Sequence, residues 1–175
     1  MKLFKEELKK VEAFVFDVDG VFSRHDMNIS PSGDLIRTSC TKDGYAMMYC
    51  VKKGYPVCII SGGYAPGVRE RFNKLGITEV YLGIGDKVLA LNEFLGKHHL
   101  QPEHVMYMGD DIPDYNVMKI VGMPVCPADA CEEIKAISRY VSDVPGGLGC
   151  VRDVVAQVLK ARGDWMDTDC HVKCM

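Results

Sequence analysis

The feature that most constrains this chain is a rhythm of short apolar runs, each followed by a polar cluster and then by a helix-length stretch. The apolar runs fall at 13–16, 57–60, 80–82, 105–108 and 124–126. They are too short to be buried helices and read as strands buried on both faces. Between and after them, helices are expected over 44–53, 66–75, 87–98, 113–121 and 150–161. Strand alternating with helix implies an α/β fold with a doubly wound, Rossmann-like parallel sheet covered on both faces.

One segment breaks the rhythm. Between 27 and 40, Asn28-Ile29-Ser30 and Leu35-Ile36-Arg37-Thr38 flank the turn-forming Pro31-Ser32-Gly33-Asp34, which suits a β-hairpin inserted directly after the first strand. A chain of 175 residues is the size of one domain, and no repeat or linker divides it, so a single domain over 1–175 is expected. Gly146-Gly147-Leu148-Gly149 reads as a flexible stretch before the last helix, and residues from about 164 read as a flexible tail.

Composition narrows the function classes. A net charge of -3 lacks the basic excess of a nucleic-acid binder. No apolar run approaches the roughly 20 residues that span a bilayer, and the start is rich in Lys and Glu where a secretory signal needs an apolar stretch, so a cytoplasmic protein is expected. The eight cysteines are irregularly spaced, and Cys58 and Cys126 lie in strand-like runs, so they read as free thiols. Cys170-His171-Val172-Lys173-Cys174 lacks the second ligand pair of a structural zinc site and reads as a chain end.

The polar clusters carry the chemistry. In a parallel α/β sheet, ligands bind outside the carboxyl ends of the strands, so residues directly after each apolar run converge. These are Asp17 and Asp19 in Asp17-Val18-Asp19-Gly20, then Ser61-Gly62-Gly63, then Gly85-Asp86-Lys87, then Gly109-Asp110-Asp111 with Asp114 close behind. Singly, each has a plain structural reading as a turn, a helix cap or a solvated lysine. Together, clustered carboxylates around one lysine repel unless a cation sits among them, and an oxygen-only donor set suits Mg²⁺. A cation beside Lys87 and the Ser61 hydroxyl makes a cradle for a phosphoryl group that a carboxylate can attack.

Those residues, in that order, resemble the four motifs of the haloacid dehalogenase superfamily of phosphatases, and the likeness runs from Phe14 to about Ala161. The resemblance implies Asp17 as nucleophile and Asp19 as general acid and base. It implies Mg²⁺ held by Asp17, the Asp19 backbone carbonyl and Asp110, with Ser61, Gly62 and Lys87 on the phosphoryl oxygens and Asp111 and Asp114 behind them. With a small hairpin and no large cap domain, and with Lys42-Asp43-Gly44 and the Val68-Arg69-Glu70-Arg71 stretch following, the chain looks like the capless branch that includes 3-deoxy-D-manno-octulosonate 8-phosphate phosphatase. That branch implies a sugar acid phosphate substrate, a role in lipopolysaccharide precursor synthesis, and a homotetramer joined through the hairpins whose active sites are covered by neighbouring subunits. It also implies that Gly146 to Gly149 closes over a neighbour's site.

Many members carry Thr-Gly-Arg after the second strand, whereas this chain has Ser61-Gly62-Gly63, keeping a hydroxyl but no arginine. Arg71 would meet a substrate carboxylate if the branch's arrangement holds, and is otherwise an exposed helix arginine; Arg69 is expected to face solvent. Lys42 and Asp43 either reach the site or cap the next helix. The eight-carbon ester is favoured over a nine-carbon sugar acid 9-phosphate, since Gly63 offers no polar contact to a longer substrate. A non-catalytic or receiver-like phosphoacceptor domain is the alternative of another class, and Asp19 argues against it: an acid two residues after the nucleophile favours turnover.

Overall fold

The computed structural model describes residues 2–166. Six strands, β1 (Ala13–Phe16), β4 (Val57–Ser61), β5 (Glu79–Leu82), β6 (Val105–Met108), β7 (Met123–Cys126) and β8 (Tyr140–Val141), form one sheet in the order β5-β4-β1-β6-β7-β8, parallel throughout. The two remaining strands, β2 (Asn28–Ile29) and β3 (Leu35–Ile36), pair antiparallel as the expected hairpin, with Ile29 opposite Leu35. Between them the turn is held by its own side chains: Ser32 Oγ donates to Asp34 Oδ2 at 2.6 Å, and the Asp34 N–H donates to Ser30 Oγ at 2.9 Å.

All four residues of β1 are buried, because the strand is covered on both sides. Phe14 and Phe16 point to one face and pack in a cluster with Met47 of α2 (Thr41–Lys52), Phe72 of α3 (Pro66–Lys74) and Val155 of α7 (Cys150–Arg162). Ala13 and Val15 point to the other, against Leu91 and Phe94 of α4 (Lys87–His98), Val117 of α5 (Tyr115–Met118) and Ile134 of α6 (Glu132–Ile137). Burial of each such large side chain contributes about 1.5–3 kcal/mol, and the period-two alternation lets one strand serve two cores.

The expected strands and long helices stand within a few residues of their sequence positions. Three short elements were not legible: α1 (Lys2–Leu8), α6 and the two-residue edge strand β8. The helix expected over 113–121 is shorter, a 3₁₀ turn Ile112–Asp114 leading into α5. The tight turn carries Asp114 inward, where it is 1% exposed, instead of continuing regular helix.

Gly146 to Gly149, expected to be flexible, is packed against its own chain. Gly147 N–H donates to Val21 O and Gly146 N–H to Asp129 Oδ1, both at 2.8 Å, and a Cβ at Gly146 would fall 1.9 Å from Gly20 O. The glycines are there because two backbones touch. Asp164 and Trp165, expected to begin a flexible tail, are packed: Tyr49 OH donates to Asp164 O at 2.9 Å, and the Trp165 ring centroid lies 5.2 Å from that of Tyr49. The Cys170–Cys174 segment lies outside the described residues. Cys40, Cys50, Cys58, Cys126, Cys131 and Cys150 are free thiols.

Candidate active site

Strand register builds the site. Phe16 is level with both Ile59 and Met108, so the loops after β1, β4 and β6 leave the sheet at one height and their polar residues converge. Asp17, Asp19, Ser61, Gly62, Lys87, Asp110, Asp111 and Asp114 all line one cavity of about 350 Å³.

Lys87 is the first residue of α4, and Asp86 caps that helix by accepting from Val88 N–H at 2.9 Å. The cap aims Lys87 into the cavity, where its Nζ stands 3.0 Å from Asp17 Oδ1 and 2.7 Å from Asp114 Oδ1. Asp114 is fully engaged: its Oδ1 also accepts from Tyr107 OH at 2.7 Å, and its Oδ2 accepts the Asp110 backbone N–H at 3.2 Å. Asp114 therefore braces Lys87 and the Asp110 backbone.

Asp17, Asp110 and Asp114 each place a carboxylate oxygen within 4.8 Å of the others. Burial first, then the charge of Asp114, pushes the Asp17 carboxyl up to about 7 against the pull of Lys87. Burial and the charges of Asp17 and Asp114 push Asp110 up to about 8. Asp110 Oδ1 is buried with no hydrogen-bond partner among the described residues. An orphaned buried carboxylate oxygen beside a second repelled carboxylate is what a hard divalent cation would satisfy, so the donor set fits Mg²⁺. Gly20 is required here: its φ is +82° and a Cβ would lie 2.1 Å from Asp110 Oδ2.

Asp19 faces a different neighbour. Arg37, from the end of the hairpin, donates Nε to Asp19 Oδ1 at 2.6 Å and Nη2 to Oδ2 at 2.9 Å, and Ser23 Oγ adds a bond to Oδ1 at 3.1 Å. The Asp19 carboxylate is thus held by Arg37 and Ser23. Ser61 is buried, and its Oγ accepts the Gly63 N–H at 3.1 Å.

Arg71 is not in this cavity. It lines a larger neighbour of about 620 Å³, shared with Arg37 and bordered by Gly63, which both cavities touch. Its Nη2 lies 2.6 Å from where a Cβ on Gly44 would stand, so the guanidinium presses on bare α2 backbone. Arg69 is exposed, as expected. Asp43 does not reach the site: it is buried and its Oδ1 accepts the Arg152 backbone N–H at 2.7 Å, capping α7, while Lys42 is exposed.

Sequence reasoning missed Arg37 and His25. His25 stands between Asp110 and Asp129, its Nδ1 3.5 Å from Asp110 Oδ2 and its Nε2 3.4 Å from Asp129 Oδ2. Both residues lie on the chain leaving β1, farther along than the few positions that the strand-end rule picks out.

Comparison with known proteins agrees with this geometry. Residues 72–146 match the model of the haloacid dehalogenase-like hydrolases. A 3-deoxy-D-manno-octulosonate 8-phosphate phosphatase of Yersinia pestis is 36% identical over 152 residues, 87% of this chain and 81% of that one. Its counterpart in Escherichia coli K12 is 35% identical over 155 residues, covering 89% and 82%. Among solved structures, the Moraxella catarrhalis enzyme of the same name, a complex with magnesium, phosphate and a KDO molecule, superposes with a TM-score of 0.89 at 29% identity, covering 94% of each chain. The Yersinia pestis structure gives 0.88 at 34% identity, covering 91% of this chain and 86% of that one. The chain belongs to the 3-deoxy-D-manno-octulosonate 8-phosphate phosphatase family of haloacid dehalogenase-like hydrolases.

Proposed function

We propose that this protein is a Mg²⁺-dependent phosphatase that hydrolyses 3-deoxy-D-manno-octulosonate 8-phosphate to the free sugar acid and phosphate in lipopolysaccharide precursor synthesis. The observation that carries the reading is the Asp17 carboxylate, set 3.0 Å from Lys87 beside the unpartnered Oδ1 of Asp110, at the mouth of a parallel sheet. Asp17 and Asp110, with the Asp19 backbone carbonyl, would hold the cation. Bound there, Mg²⁺ offsets the repulsion between an anionic phosphoryl group and these carboxylates.

Asp17 attacks phosphorus, forming an aspartyl phosphate (an acyl phosphate) as the bond to the sugar oxygen breaks, and the departing oxygen takes a proton from Asp19. Water then attacks the phosphoaspartate and gives a proton to Asp19. The Asp17–phosphorus bond breaks, restoring both carboxyl groups and releasing phosphate. Lys87, the Ser61 hydroxyl and the Gly62 backbone hold the phosphoryl oxygens. Asp114 keeps Lys87 in place and Asp111 lies at the rim. The cavity beyond Gly63 receives the sugar acid, with Arg71 on its carboxylate.

Ile29, Leu35 and Ile36 are 73%, 49% and 53% exposed on the hairpin, an apolar surface consistent with a homotetramer in which neighbours cover each active site. Among the described residues no helix is long and apolar enough to cross a membrane, which accords with a cytoplasmic enzyme.

The test is phosphate release from the eight-carbon ester and a nine-carbon analogue, with and without Mg²⁺. Turnover that needs the metal, prefers the eight-carbon ester and disappears in Asp17→Asn is expected. Preference for the nine-carbon ester would displace the substrate, and activity surviving Asp17→Asn would displace the nucleophile.

A further inference from the structure

The loop after β4 has glycine where an arginine is common in the wider family, yet the site does not lack a guanidinium there. Arg37 arrives from the hairpin instead. Its Nη2 lies 3.0 Å from where a Cβ on Gly63 would be, and that same point is 3.3 Å from Asp19 Oδ2 and 3.5 Å from Ser61 Oγ. A Cβ at Gly63 would crowd the Arg37 guanidinium, so the glycine gives it room against Asp19.

The fit is built on both sides. The Arg37 side chain is only 12% exposed, and its Nη1 donates to Leu35 O at 3.3 Å, which ties the guanidinium to the hairpin backbone while Nε and Nη2 grip the two oxygens of Asp19. Two parallel N–H to oxygen bonds fix a carboxylate's direction as well as its distance. Arg37 and Gly63 also line the larger cavity, and Gly63 and Asp19 line the smaller one. The guanidinium therefore stands where the two cavities meet.

We propose that Arg37 is the positioning residue for Asp19 and the leaving-group contact of the reaction, taking the place of the missing loop arginine in the space that Gly63 leaves open. This rests on the proton-transfer role given to Asp19 above. The guanidinium holds the Asp19 carboxylate toward the scissile oxygen, and its remaining N–H groups are available to oxygens of the departing alcohol. The hairpin is then part of the active site as well as a surface for assembly.

The experiment compares two esters in the full-length, Mg²⁺-loaded enzyme: an alkyl phosphate, whose alkoxide needs a proton to leave, and p-nitrophenyl phosphate, whose phenolate does not. Arg37→Ala should lower kcat/KM for the alkyl ester about 10- to 100-fold while lowering that for the aryl ester less than about threefold, because kcat/KM reports the step in which the alcohol leaves, before the hydrolysis common to both esters, and a misplaced general acid costs only the leaving group that needs one. Arg37→Lys should behave like Arg37→Ala, since an ammonium cannot make the paired bonds.

Gly63→Ala keeps the arginine but crowds it, and should move the alkyl-to-aryl ratio in the same direction by a smaller factor. A thermal melt checks that each variant is folded, and Gly63→Ala carries the test alone if Arg37→Ala does not fold. Equal losses on the two esters, or an unchanged ratio in the folded variants, would overturn the assignment. If the wild type turns over some other alkyl phosphate in place of the eight-carbon ester, the substrate reading fails but the ratio still decides the role of Arg37.

Discussion

The carboxylate of Asp114 accepts the Lys87 ammonium at 2.7 Å, locking the first residue of α4 to the turn after β6. Both are buried, and the ion-pair partners of Lys87 among the described residues are Asp114 and Asp17, so Lys87 would keep only Asp17 if Asp114 were lost. Asp114→Ala should therefore lower stability by about 1–3 kcal/mol, because Tyr107 OH and the Asp110 N–H lose their buried acceptor while Lys87 keeps Asp17. Because Lys87 then leans on Asp17 alone, kcat should fall about tenfold or more in the molecules that fold. Denaturant unfolding and steady-state kinetics check both effects.

The acids of the site make stability depend on pH and metal together. Asp17 rises to about 7 and Asp110 to about 8 in the metal-free protein, so between about 4 and 8 the folded state binds more protons than the unfolded one. Metal-free stability should fall as pH rises through that window and level off above it. Added Mg²⁺ should raise the melting temperature more at pH 8 than at pH 5, because at low pH it must first displace protons. Calorimetry with and without EDTA measures this, and an equal Mg²⁺ gain at both values would contradict it.

Gly20→Ala places a Cβ 2.1 Å from Asp110 Oδ2 at a φ of +82°, so it should displace the Asp110 carboxylate as well as strain the turn. Mg²⁺ affinity measured by titration calorimetry should weaken by about tenfold or more, in the range seen when the neighbours of metal ligands are disturbed.

Asp43 caps α7 from another helix, at a cost: burial raises its carboxyl to about 6 against the pull of the Arg152 N–H. Asp43→Ala should lose about 1–2 kcal/mol at neutral pH, the ordinary value of a cap, whereas Asp43→Asn keeps an acceptor without the buried charge and should lie close to wild type. Neither should change kcat per folded molecule. Chemical denaturation and kinetics of both variants decide it.

Ile29→Glu with Ile36→Glu puts charges on the exposed apolar face of the hairpin. Light scattering should show a smaller species than the wild-type assembly; an unchanged mass would mean that the hairpin does not join the subunits.

What the sequence by itself determined is the frame and its chemistry. Short apolar runs mark the strands, parallel strands align their carboxyl ends, and so the residues after 16, 61 and 108 meet whatever else the chain does. Local order carries that information, and Asp17, Ser61, Lys87 and Asp110 were legible for that reason.

Tertiary structure decided which partner each group keeps. Arg37 reaches Asp19 across 18 residues and Asp43 reaches Arg152 across 109, and no periodicity records such pairs. Asp114 read as a residue that orients its neighbours at a helix start, and only the fold shows which neighbours these are: Lys87, Tyr107 and the Asp110 N–H. Gly146 and Gly147 read as a flexible stretch because glycine serves both mobility and close approach, and only the backbone of the loop after β1, lying against them, shows that here it is the second.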